Sequence, residues 1–289
     1  MPEVADLKRS LKIALTVTLT LCVLTCFLFW ENCVIQTEEV AVVCPALPES
    51  FDGLRIAELA DLHGRQFGEK NSRLLARLRA AEPDLICIDG DLFDENSDLS
   101  VLEPLLRGLC DIAPTYYVTG NHEWQLPRLK DILHTMESYG VCVLQNEYEV
   151  LERDGARLIL AGVHDPCGPY DQKTPAELVA EIRRREGEES CIVMLAHRND
   201  TLPMWASLGV ELVLTGHCHG GIVRLPFLGG IFGSNRTLLP EYDAGLYRQA
   251  DTALYVSRGL GYSQTHFRLF NRPHLPILTL HSGEIVNKS

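Results

Sequence analysis

Leu85-Ile86-Cys87-Ile88-Asp89-Gly90-Asp91-Leu92-Phe93-Asp94 decides how this chain folds. Four apolar residues after Pro83 make a short buried strand, and they run without a break into an acidic, glycine-bearing turn. The same grammar recurs on both sides of it. Residues 54–59 read as a strand leading into Asp61-Leu62-His63, and residues 116–119 lead into Gly120-Asn121-His122-Glu123. Residues 191–195 lead into His197, and residues 211–214 into Gly216-His217-Cys218-His219-Gly220-Gly221. Amphipathic runs between the strands predict helices over 70–81, 99–109, 125–139 and 174–185. Pro127 falls in the first turn of the third, and Thr174 caps the fourth with Pro175 at its first helical position. Asp154-Gly155 predicts a hairpin turn between 149–151 and 157–163, and residues 253–256 and 277–280 add strands. The alternation, followed by an all-strand C-terminal stretch, predicts an α/β fold with a mixed sheet and two sheets rather than one.

Residues 11–30 contain no ionisable acid or base except Lys12, close to the roughly 20 residues a helix needs to cross a bilayer. Lys8, Arg9 and Lys12 precede the run, while Glu31, Glu38 and Glu39 follow it. The positive-inside rule then predicts a single-pass protein with a cytoplasmic N-terminus and an extracytoplasmic domain. A cleaved signal peptide would end in small residues, whereas this run ends in Phe27-Leu28-Phe29-Trp30, which favours an uncleaved signal anchor. With no polar face, it is not a core helix. The expected division is a cytoplasmic tip and anchor over 1–35 and one domain over 36–289.

Composition narrows the class. At 46% hydrophobic and 22% charged, the 289-residue chain is neither disordered nor polytopic. Its formal charge of −13 excludes a broad basic face for nucleic acid. A phosphate substrate is still compatible, because bound cations dominate the charge of a small site. The ten cysteines include no CxxC pair, and several lie in strand-like runs, as buried free thiols do. One or two bridges are the alternative in an oxidising compartment.

In open α/β sheets, ligands bind beyond the carboxyl ends of the strands. Five strand ends here present Asp, Asn or His, donors suited to Mn, Fe or Zn. Each has an ordinary reading alone. Asp-x-His caps a helix, Gly-Asp and Gly-Asn make turns, and a lone His is a satisfied buried histidine. His-x-His on a strand points both rings to one face, which is more telling. All five in order, each after an apolar strand, are hard to read as accidental turns.

The series Asp61-x-His63, Gly90-Asp91-x-x-Asp94, Gly120-Asn121-His122-Glu123, His197, Gly216-His217-x-His219 resembles the calcineurin-like metallophosphoesterase superfamily from about residue 54 to the C-terminus. The anchor, Phe51-Asp52-Gly53-Leu54-Arg55-Ile56 and Ser257-Arg258-Gly259-Leu260-Gly261 resemble its small membrane-anchored bacterial branch. The resemblance implies a four-layer αββα sandwich of two mixed sheets, preceded by one transmembrane helix. It also implies a dinuclear phosphoesterase with two divalent ions (Mn, Zn or Fe). Asp61, His63 and His219 would hold one ion, Asn121, His197 and His217 the other, and Asp91 would bridge them. Two ions about 4 Å apart share a hydroxide and bind phosphoryl oxygens. His122 would act as non-ligand catalyst, with Asp94 as the carboxylate that orients it.

Other residues keep two readings. Glu123 stands where the superfamily often has Asp, or is a helix-start charge. Arg198 contacts substrate phosphate or is a surface arginine, and Cys218 points away from the metals by alternation. The apolar, glycine-rich stretch 225–239 is a lip for a lipid tail or the bilayer, or an ordinary packed loop. Asn199, Asn235 and Asn287 begin glycosylation sequons, without meaning in a bacterial chain. The expected function is hydrolysis of a phosphate monoester, diester or pyrophosphate, on an envelope or lipid-linked substrate because of the anchor. The rivals are a phosphodiesterase for soluble nucleotides and a non-catalytic metal-binding scaffold on the same fold. The presence of His122 argues against the scaffold.

Overall fold

A computed structural model describes residues 2–95, 97–169, 171–234, 236–262, 265 and 267–285; the sequon residues Asn235 and Asn287 lie outside them. The chain opens with helix α1 (Pro2–Cys33), whose residues Asp6–Cys33 are long and apolar enough to cross a membrane. Then come β1 (Gln36–Val43), β2 (Arg55–Leu59), α2 (Ser72–Ala81), β3 (Leu85–Asp89), α3 (Leu102–Cys110), β4 (Thr115–Val118), α4 (Leu129–Ser138) and β5 (Cys142–Val143). A hairpin, β6 (Glu147–Arg153) and β7 (Ala156–Gly162), precedes α5 (Pro175–Glu186), β8 (Ile192–Leu195), α6 (Leu202–Ser207) and β9 (Leu212–Thr215). A small ribbon, β10 (Arg224–Leu225) with β11 (Gly229–Gly230), leads to β12 (Gly245–Gln249), β13 (Thr252–Val256) and β14 (His274–His281).

Two mixed six-stranded sheets result, ordered β1-β14-β2-β3-β4-β5 and β12-β13-β9-β8-β7-β6. Strand periodicity explains how they stack. Ile56, Cys87 and Val118 from the first sheet meet Leu160, Val193, Leu195 and Leu214 from the second in the inter-sheet core. The alternate residues Ala57, Leu59, Ile86 and Ile88 face outward, under Leu74, Leu78, Leu105 and Met136 of α2, α3 and α4. Ile192, Met194 and Val213 likewise pack against Leu178, Ile182 and Trp205 of α5 and α6. These are the four layers expected, αββα. Burial of alternate faces aligns β2, β3 and β4 of one sheet with β8 and β9 of the other, so that their carboxyl ends open on one rim.

Local departures from expectation have local causes. The helix expected over 125–139 begins only at Leu129, because Pro127 holds Leu126 extended at φ −79°, ψ 124°. Lys70 and Asn71 are left-handed at φ 51° and 61°, so α2 starts at Ser72. His217 and His219 do not lie on a strand: β9 ends at Thr215, and both residues are left-handed, at φ 65° and 50°. Their rings therefore need not share a face. Asp154 and Gly155 are both left-handed, as a two-residue hairpin turn requires. All ten cysteines are free, and Cys44, Cys87, Cys191 and Cys218 are buried.

Thr174 begins α5 with a reciprocal capping box, accepting the Glu177 N–H at 3.2 Å while Glu177 accepts the Thr174 N–H at 2.7 Å. Thr174→Ala should cost about 1 kcal/mol. The readout is a lowered urea midpoint with unchanged slope for the full chain in detergent.

Candidate metal centre

Five short connections deliver the polar side chains to the common rim. The loop after β2 continues parallel to the loop after β3, with Asp61 N–H to Gly90 O at 3.2 Å and His63 N–H to Asp91 O at 2.9 Å. Across the sheets, His197 Nδ1 sits 2.7 Å from the Asp89 carbonyl, and Asp61 Oδ1 accepts the His217 N–H at 3.1 Å. The glycines are there for contact. A Cβ on Gly90, at φ 87°, would collide with the Gly120 amide and His197 Nδ1, and one on Gly120 with the Asp91 carboxylate. Left-handed backbone recurs at Asp61, His63, Asp91, His217 and His219, five of the seven expected ligands. Asp and His tolerate that region better than most residues. Such strain nevertheless costs about 1–3 kcal/mol each and clusters at functional sites.

Among the described residues two donor groups lie side by side, Asp61, His63 and His219 in one and Asp91, His197 and His217 in the other, and a third group, His63, Asp91 and His122, overlaps both. His63 Nε2 lies 3.2 Å from His219 Nε2, and His197 Nε2 lies 3.1 Å from His217 Nδ1 and 3.2 Å from Asp91 Oδ2. Nitrogens bound to one ion at about 2.0–2.1 Å and about 90–110° apart are themselves about 2.9–3.4 Å apart. The spacing fits ions in both groups. Asp61 Oδ2 and Asn121 Oδ1 are buried with no protein partner, as ligand oxygens would be. Asp91 links the groups, since its Oδ2 is also 3.8 Å from His63 Nε2. The Asp and His members of the expected sets are thus brought close to one another, with the two rings of His217-Cys218-His219 diverging, one to each group.

The electrostatics agree. Burial alone would raise the Asp91 carboxyl, but His197, His63 and His122 overcome it and hold it far below the usual carboxylate range. His197 donates Nδ1–H to a carbonyl, which leaves Nε2 free to ligate. Arg198 Nη1 lies 2.9 Å from His217 Nε2, so His217 turns Nδ1 inward. The Arg198 guanidinium is itself fixed by Asp165, at 2.5 and 3.0 Å. It borders a cavity of about 190 Å³ lined by His164, Pro169, Lys173, Met204 and Trp205.

Residues 54–221, more than half of the chain, match the calcineurin-like phosphoesterase family. The chain belongs to that family. It is 32% identical over 232 residues to the phosphodiesterase YaeI of Escherichia coli, covering 78% of this chain and 82% of that protein. It is 28% identical over 263 residues to the uncharacterized metallophosphoesterase YkuE of Bacillus subtilis, covering 88% of each. A transmembrane protein with metallophosphoesterase domain from Bos taurus is 31% identical over 265 residues, covering 86% of this chain and 57% of that protein.

Within this calcineurin-like site, three residues differ from the sequence reading. The carboxylate beside His122 Nδ1, at 3.5 Å, is that of Glu95, whereas Asp94 Oδ2 lies 3.3 Å from His63 Nδ1. Asp94 thereby orients a metal-group histidine. The His122 ring meets His63 edge-on with centroids 4.9 Å apart, at the mouth of both groups. Asp165 had no signal in the sequence beyond being an Asp after a strand. Glu123 is the largest surprise: fully buried, it accepts the N–H groups of Asp91 (3.0 Å), Leu92 (2.6 Å), Phe93 (3.2 Å) and Gly120 (2.8 Å). Burial and the Asp91 charge push it up to about 7 against those four donors. It is a clamp on two metal loops, not a helix-start charge.

Glu123→Gln keeps the shape but replaces one acceptor oxygen with a donor facing N–H groups. It should destabilise the protein by about 3–5 kcal/mol, two charge-assisted bonds being lost. Bound metal, measured by elemental analysis, should fall in parallel.

Proposed function

We propose that the protein is a dinuclear phosphoester hydrolase, anchored by residues 1–35, whose domain over 36–289 faces the extracytoplasmic side of a membrane. The observation that carries this reading is the pair of imidazole–carboxylate groups joined by the buried Asp91, with donor nitrogens 3.1–3.2 Å apart. Family membership supports hydrolysis of a phosphate ester, and YaeI is named a phosphodiesterase. Lys8, Arg9 and Lys12 before the apolar run support a cytoplasmic N-terminus. An anchor this near the site favours envelope or lipid-linked esters over soluble ones.

Bound by these residues, two divalent ions would supply Lewis acidity toward phosphoryl oxygens and lower the pKa of water. Asp91 would span the ions, and His197 and His217 would keep their tautomers through Asp89 and Arg198. His122, half-buried at the mouth, would donate to the departing oxygen. Water adds its oxygen to phosphorus and releases a proton to solvent, the P–O bond to the leaving group breaks, and His122 gives a proton to that leaving oxygen, to be reprotonated from solvent afterwards. Glu95 would orient the ring.

Full-length protein in detergent, assayed on a nitrophenyl phosphodiester and monoester with Mn, Zn or Fe added, tests this. Asp91→Asn should lose both metal and turnover. His122→Ala should keep its metal while kcat falls about 10²–10⁴-fold. Metal loss in His122→Ala would make that residue a ligand, and two bound metals without turnover on either ester would favour the scaffold.

A further inference from the structure

The last two turns of α1 lie along segment 267–272 rather than projecting free of the domain. The Phe27 and Phe270 rings are 5.7 Å apart, and the Arg272 guanidinium covers the Trp30 ring at 4.1 Å. Glu31 accepts the Asn271 N–H at 3.0 Å. Asn32 exchanges two bonds with Arg268, at 2.9 and 3.0 Å. This contact fixes a depth. Phe27 precedes Trp30 by three residues, about 4.5 Å along the helix. Where Trp30 sits at the membrane–water boundary, as tryptophan at the end of an apolar span does, Phe27 lies inside the apolar layer. Phe270, 52% exposed and packed on Phe27, reaches the same depth.

A wider apolar surface continues from that point. Leu269 O accepts the Arg224 N–H at 3.0 Å, which joins the β10–β11 ribbon to the Phe270 segment. Phe227 at the ribbon tip is fully exposed, Leu228 is 61% exposed, and Phe232, Leu238 and Leu239 beyond it are exposed as well. Phe227 is left-handed at φ 67°, so the backbone bends to present this tip. Single exposed apolar residues are ordinary, whereas five on one ribbon and the segment after it mark a candidate interaction surface. The same segments border the metal centre: Asn271 Nδ2 donates to His219 O at 2.8 Å, and the Ser234 hydroxyl donates to His217 O.

We propose that the ribbon tip, Phe232, Leu238, Leu239 and Phe270 are seated in the interface of the bilayer that α1 crosses, with the metal centre opening onto the lipid headgroups. The proposal rests on the reading of α1 as a membrane span and deepens the hydrolase reading. It makes the favoured substrate a phosphoester whose acyl chains stay in the membrane. One bilayer surface covers α1 and the patch together, since they are continuous through Phe27 and Phe270. A second copy of the chain is the competing occupant.

The test uses full-length protein in phosphatidylcholine–phosphatidylglycerol vesicles, with matched vesicles of acyl-brominated lipid. Phe227→Trp should add emission that is blue-shifted and mostly quenched by the brominated lipid, relative to the parent. Unquenched added emission would overturn the proposal, whether the tip is then in water or cross-links to a second copy. In parallel, Phe227→Asp/Leu228→Asp should slow hydrolysis of an acylated nitrophenyl phosphodiester in the vesicles about tenfold, while its unacylated soluble counterpart is cleaved at the parental rate. Equal loss on both esters, or on neither, would also overturn it. If the parent cleaves neither ester, the hydrolase reading fails by itself and the quenching alone decides the membrane seat.

Discussion

The four backbone N–H groups gathered by the Glu123 carboxylate hold the rim together. Three come from the loop after β3 and one from the loop after β4, so a single buried anion fixes the relative positions of Asp91, Asn121 and His122. Without that acceptor, four amides would be desolvated and unpaired in a dry interior. The clamp brings its own repulsion, because Glu123 joins Asp61, Asp89, Asp91 and Glu58 among the buried acids. The histidine-rich opposite wall and the cations it is shaped to hold offset that charge. The fold thus places five buried carboxyls, all but Asp91 pushed up chiefly by burial, beneath the candidate metal groups.

Much of this was legible in the sequence because strand ends are punctuated. An apolar run that stops at Asp, Asn or His marks both the edge of the core and the place where a ligand is met. The Asp and His residues expected as ligands meet at one rim for that reason. What the sequence concealed was conformation at single residues. His217-Cys218-His219 looks like alternation, yet left-handed backbone at both histidines sends the rings to separate groups. The partner of His122 was misplaced by one position, Glu95 standing where Asp94 was expected, since spacing along a turn does not say which carboxylate swings outward.

Elements without a local pattern were missed as well. β1 begins Gln-Thr-Glu-Glu and lies at a sheet edge, paired on one side with β14, so half of it is solvated and its alternation is blurred. β12 is another edge strand, with Gly245 and Arg248 in place of apolar residues. Glu123 looks like an ordinary acid at a helical turn, and nothing in the one-dimensional pattern tells a solvated carboxylate from one surrounded by amides. Burial would have been the signal, and burial is a tertiary property.

Only Val34 and Ile35 separate α1 from β1, and Arg272 holds the carbonyls of both, at 3.1 Å each. Such a joint has no slack. A domain on a flexible tether would sample every orientation above its anchor, whereas this one must copy each lean of the helix like the head of a rigid lever. An apolar helix leans according to the thickness of the bilayer around it. With α1 across a bilayer, as proposed, membrane thickness would thereby act as a mechanical input, rotating the candidate metal centre against the lipid plane while every distance within it stays the same.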